Sequence, residues 1–190
     1  MAVPEALAVT LSVARALDEL GVPYFVAGSL ASSYHGIPRA SQDADLVVEL
    51  AADRVGDLVA RLRGEFYVDD ERARDAVARR ASFNVIHLPT MFKVDLFVLG
   101  EEPHAREELA RRRRLQVEAG TLQLASAEDT LLHKLARYRL GGGASDRPWQ
   151  DALGILKVQA RALDLSYLHR WANALGVANL LARALGEAGQ

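Results

Sequence analysis

The chain has no cysteine, which excludes disulfides and thiolate metal sites and leaves any metal to carboxylates and histidines. Charge of neither sign dominates. The 23 Lys+Arg against 25 Asp+Glu leave a formal charge of −2, which argues against strong non-specific attraction to DNA or membrane but allows a local basic patch. No uninterrupted apolar run is long enough to span a bilayer. The stretch Met1-Ala-Val-Pro-Glu-Ala-Leu-Ala carries no basic segment ahead of an apolar core, so it does not read as a leader, and a cytoplasmic protein is the expectation. Internal repeats and low-complexity segments are also missing.

What remains is ordinary globular material. Of 190 residues, 50% are hydrophobic and 25% charged, enough to bury a core in one compact unit with room for a small appended subdomain. From Pro4 to Leu20 the apolar residues Leu7, Leu11, Ala14, Leu17 and Leu20 keep a helical period, closed by Gly21. Tyr24 to Ala27 reads as a strand, and Gly28-Ser29 opens a short helix over Leu30–Tyr34 with Ser29 as its cap. Gly36 to Gln42 is a loop, followed by an apolar strand from Asp45 to Leu50. A helix over Asp53–Arg63, a strand Phe66–Val68 and a polar helix Glu71–Arg80 come next. Strands Phe83–Leu88 and Phe92–Leu99, joined at Pro89-Thr90, read as an antiparallel hairpin. Pro103–Arg112 is a helix, and Leu115 to Ala125 a small hairpin.

From Ser126 the composition shifts to helix formers, which sets the expected boundary between a core (1–125) and a C-terminal helical subdomain (126–190). Ser126 caps a helix with Leu131, Leu132, Leu135 and Leu140 inward. After the Gly141-Gly-Gly-Ala-Ser145 loop, Asp146-Arg-Pro-Trp-Gln-Asp151 opens another helix. Asp164 caps a helix over Leu165–Leu175, and Val177–Leu185 closes the bundle.

The chemistry concentrates on aspartates in strands, where aspartate is otherwise depleted. Asp43 and Asp45 are two apart, so both carboxylates share one face of a strand. Asp95 lies inside the later run Lys93-Val-Asp-Leu-Phe-Val-Leu99. With that strand alongside, three carboxylates converge. Unit charges about 4 Å apart repel by roughly 4 kcal/mol at an effective dielectric near 20, so such a trio either protonates or holds a hard divalent cation. Ahead of them, free amides at the Gly28-Ser29 helix start suit phosphate oxygens, although a plain strand-to-helix turn would use the same two residues.

Gly28-Ser29, a short helix, Asp43-Ala-Asp45 and the later strand Asp95 resemble the active-site pattern of the nucleotidyltransferase superfamily with a DNA polymerase beta-like core. The resemblance implies an α+β fold: a mixed sheet flanked by helices, with a C-terminal helical bundle. It also implies transfer of a nucleoside monophosphate from an NTP, with Mg²⁺ or Mn²⁺ bound by Asp43, Asp45 and Asp95. Lys134 and the segment from Asp146 to Asp151 are similar to later motifs of the abortive-infection, AbiEii-like branch, which includes toxins of toxin–antitoxin pairs. That likeness implies that Lys134, Asp146 and Asp151 hold nucleotide, joining Gly28 and Ser29 of the superfamily pattern and Arg39 ahead of the acidic strand as the expected nucleotide-binding residues. The acceptor stands open among RNA, protein and a small molecule, with an antitoxin as a further partner. Aminoglycoside-like adenylylation and a non-catalytic nucleotide-binding module are the rival readings.

Several residues keep more than one reading. Arg39 reaches a triphosphate or screens Asp43. Asp151 acts as a base, orients Lys134 or pairs with Arg147. Arg111–Arg114 grips nucleic acid or forms a solvated helix end, His87 is a ligand or a satisfied sheet residue, and Trp149 and Trp171 stack on a base or pack in the bundle.

Overall fold

The computed structural model describes residues 5–189, so the expected helix start at Pro4 lies outside the described residues. In chain order the elements are α1 (Glu5–Glu19), β1 (Tyr24–Val26), α2 (Gly28–His35), β2 (Asp43–Val48), α3 (Val55–Leu62) and β3 (Phe66–Val68). There follow α4 (Asp70–Ala78), β4 (Ser82–His87), β5 (Lys93–Val98), α5 (Pro103–Arg111), β6 (Arg113–Val117) and β7 (Gly120–Leu124). The chain ends in α6 (Ala127–Leu140), α7 (Arg147–Gln159), α8 (Leu165–Ala174) and α9 (Ala178–Ala188). The expected mixed sheet with flanking helices and a C-terminal run of helices is present.

The chain divides into two compact units: one gathers the chain through Ala27 with Ser41–Leu124, the other Gly28–Ala40 with the chain from Ala125 onward.

The first unit holds a sheet that, among the described residues, has seven strands in the order β3-β4-β5-β2-β1-β7-β6. Pairing is antiparallel except for β2–β5 and β1–β7, which are parallel. Alternation on the strands sorts the two faces. Ala44, Leu46 and Val48 of β2, Val94, Leu96 and Val98 of β5, and Phe83 and Val85 of β4 are all buried. The helices α1, α3 and α4 pack on the sheet, and their own buried stripes, such as Val55, Leu58, Val59 and Leu62 of α3, recur at helical spacing. The opposite face carries Asp43, Asp45, Lys93, Asp95, Ser82 and Asn84, none of them fully buried.

The second unit packs α2 with α6 and α7, and α8 and α9 complete it. Its core runs through Leu131, Leu132, Leu135, Ile155, Leu156, Leu168 and Leu181. Two small residues bring α2 and α7 close. A Cβ on Gly36 would lie 2.8 Å from the backbone nitrogen of Ile155, and one on Gly154 would meet Ile37 at 3.3 Å.

Some local expectations shift. The Asp53–Arg63 helix begins as a 3₁₀ turn, Ala52–Arg54, before α3. Leu140 is 80% exposed, because five residues beyond Leu135 it has rotated off the buried side of α6. Arg113 and Arg114 belong to the edge strand β6 rather than to a helix end, while Arg112 donates to the Leu109 carbonyl and so closes α5. Trp149 is buried in the helical core, its Nε1 donating to Glu187 at 3.0 Å. His87 is satisfied locally through Thr90 Oγ1 at 2.9 Å.

Candidate active site

Parallel pairing of β2 and β5 brings the acidic residues together within the first unit. Asp45 stands opposite Asp95, and Asp43 opposite Lys93. Residues in register or two apart share a face, so all four side chains rise from the same side of the sheet. On the far side of β5, Asn84 of β4 stands opposite Asp95. Ser41 Oγ donates to Asp43 Oδ1 at 3.2 Å, steadying the first carboxylate just before the strand begins. Asp95 is mostly covered, with 19% of its side chain exposed, and its Oδ2 lies 2.7 Å from Lys93 Nζ.

Lys93 carries a role that its position in the sequence did not announce. The available signal was its place two residues before Asp95, which puts both on one face. The hydrogen bond to Asp95 raises the Lys93 pKa, burial pulls it down, and the charges of Asp95, Asp43 and Asp45 add to the rise. The net direction is upward, so this patch attracts positive charge. Carboxylate oxygens are the hard donors that magnesium and manganese take, and the pairing of β2 with β5 keeps the three backbones in fixed register.

The second unit gathers a different set. Gly28, at φ +57°, lets the chain turn from β1 directly into α2. Ser29 falls inside the first turn of that helix rather than ahead of it, and its hydroxyl accepts from Arg39 Nη2 at 2.7 Å, in place of the capping role expected from the sequence. Arg39 grips Asp151 with two bonds of 2.9 Å, Nε to Oδ1 and Nη2 to Oδ2. Lys134 Nζ adds a third contact to Asp151 Oδ2 at 2.7 Å, and Ser32 Oγ lies 3.3 Å from the same oxygen.

Asp151 is thus a buried anion, with 8% of its side chain exposed, that holds two cations; Lys134 is similarly buried at 9%. Burial pushes the Asp151 carboxyl up, but the hydrogen bonds from Arg39 and Lys134 and their charges outweigh it and hold the pKa below the usual carboxylate range. Two cations are thus fixed on one carboxylate, and Arg39 also reaches Ser29 in the first turn of α2. The expected Asp151–Lys134 pairing is therefore present, with Arg39 rather than Arg147 as the second partner. Asp146 stands outside this network. It lies exposed at the start of α7 and makes no side-chain capping bond.

No family model matches this sequence, and no curated protein matches it. The fold, however, is shared with solved nucleotidyltransferase structures. An antigenic nucleotidyltransferase-like protein from Paracoccidioides brasiliensis superposes with a TM-score of 0.59 at 18% identity, covering 96% of this chain and 93% of its own. The lincosamide antibiotic adenylyltransferase LnuA, bound to lincomycin, superposes with a TM-score of 0.53 at 10% identity over 82% of this chain and 98% of its own. ANT(2'')-Ia in complex with adenylyl-2''-tobramycin gives 0.54 at 12% identity over 89% and 95%. The chain has the nucleotidyltransferase fold.

Proposed function

We propose that this protein is a metal-dependent nucleotidyltransferase that moves a nucleoside monophosphate from an NTP to an acceptor hydroxyl. The observation that carries the reading is the register of Asp45 with Asp95, with Asp43 on the same sheet face, in a chain with this fold. A bond forms between the acceptor oxygen and the α-phosphorus, the bond from that phosphorus to the bridging oxygen breaks, and pyrophosphate leaves.

Each residue has a physical task. Asp43, Asp45 and Asp95 hold the divalent cation. When bound, that cation supplies a Lewis acid that offsets phosphate charge and activates the attacking oxygen. Asp95 orients the acceptor hydroxyl and draws its proton away. Lys134 and Arg39, kept in place by Asp151, neutralise phosphate oxygens, and the amides at Gly28 and Ser29 donate to them. Asp146, exposed at the head of α7, is assigned to the nucleotide on its motif likeness alone.

A small-molecule acceptor is the second reading. It is favoured by the solved neighbours of this fold whose structures hold lincomycin and an adenylylated tobramycin. A toxin role with an antitoxin partner follows from the Lys134 and Asp151 motif likeness and is tested by growth arrest on induced expression.

The deciding experiment incubates purified protein with each α-labelled NTP, Mg²⁺, total RNA and protein extract, and a panel of hydroxyl-bearing antibiotics. An Asp43→Ala/Asp45→Ala variant runs alongside. Label that appears only with the native protein supports the reading and identifies the acceptor class. Full transfer by the variant sinks it, and NTP binding without turnover reassigns the chain as a binding module.

A further inference from the structure

We infer that Lys93 is a tethered counter-cation that holds Asp95 while no metal is bound and competes with a divalent cation for that carboxylate. The inference rests on the metal-dependent reading above and adds a positioning residue to it.

The geometry is specific. Lys93 shares the aspartate face of the sheet, stands opposite Asp43 in the β2–β5 register, and contacts Asp95 Oδ2 at 2.7 Å. One ammonium offsets one of three carboxylate charges that would otherwise repel across the ladder. A divalent cation brings twice that charge, and one that takes Oδ2 of Asp95, or both of its oxygens, displaces the ammonium from it. Release is easy for this side chain. It is 41% exposed, a four-carbon stem joins it to the strand, and a single contact is broken, where an arginine fork would hold the carboxylate through two. The chain carries three lysines, Lys93, Lys134 and Lys157, against twenty arginines.

The test is calorimetric titration of the full chain with Mn²⁺ alone, without nucleotide, at low ionic strength. Lys93→Met is expected to bind Mn²⁺ roughly tenfold more tightly than the native protein, a figure reduced for partial solvent exposure. Lys93→Arg is expected to bind no more tightly than the native chain. Adding Asp43→Asn to Lys93→Met removes the gain, which places it at the trio. A folded Lys93→Met variant with unchanged or weaker Mn²⁺ affinity overturns the inference.

A second measurement needs no variant. With three lysines, ammonium ¹⁵N signals are readily assigned, and Mg²⁺ is expected to shift the Lys93 signal. A signal unmoved at Mg²⁺ concentrations that saturate the protein overturns the inference as well. Labelled-NTP transfer by the native chain separates the two claims. Transfer with no change in affinity removes Lys93 alone, whereas tighter binding without transfer removes the function and leaves the counter-cation.

Discussion

Asp45 of β2 stands opposite Asp95 of β5 in a parallel pairing, although the residues lie fifty positions apart in the chain. Two acids in register on one face are unfavourable by themselves, and the protein retains them beside a third. Asp45→Asn should therefore leave the fold intact, while nucleotidyl transfer falls by about 10²–10³-fold. Thermal melts in EDTA and a labelled-NTP assay measure the two effects separately.

Asp151 should be the costliest of the site residues to remove. Asp151→Ala removes the carboxylate that the buried Lys134 ammonium contacts at 2.7 Å, at an expected cost of about 3 kcal/mol. Lys134→Met costs less, because Asp151 keeps the two-bond grip of Arg39. The double variant should lose clearly less than the sum of the singles, a coupling that urea melts of all four proteins reveal.

Acid should expose the same network. The Asp151 carboxyl is held below its ordinary value near 3.8, so the unfolded chain binds this proton more readily than the folded one. Stability from this group is complete above that value and drains away as pH falls through it towards the folded-state pKa. Denaturant melts from pH 6 to pH 2.5 should therefore show a smaller acid loss in Asp151→Asn than in the native chain.

Gly36 tests the packing that positions Arg39 and Asp151. A methyl group there meets the backbone at Ile155 and Gly154 within 3 Å, and backbone atoms cannot step aside as a side-chain tip can. Gly36→Ala should cost about 1–3 kcal/mol by overpacking, measured by urea melts. It should also weaken NTP binding in calorimetry, since α2 and α7 carry Ser29 and Asp151.

Much of this was legible in one dimension. The strand β1, the hairpin β4–β5, the Ser126 and Asp164 caps and the buried face of α3 follow from period, turn residues and capping chemistry, all of which act over a few positions. The pair Asp43 and Asp45 was legible too, because alternation along a strand needs no partner to put both on one face. Leu140 shows the limit. An apolar residue near a helix end reads as inward, but its angle around α6 places it in solvent.

The sequence by itself determined which side chains could share a face, where helices start, and that acids sit in strands, since each of these is set by neighbours a few residues away. Only the tertiary structure decided that β5 lies parallel to β2, that Lys93 meets Asp95 as its counter-cation, and that Arg39 reaches across 112 positions to Asp151. Those choices depend on strand order and helix packing, which minimise the energy of the whole core and leave no trace in local spacing.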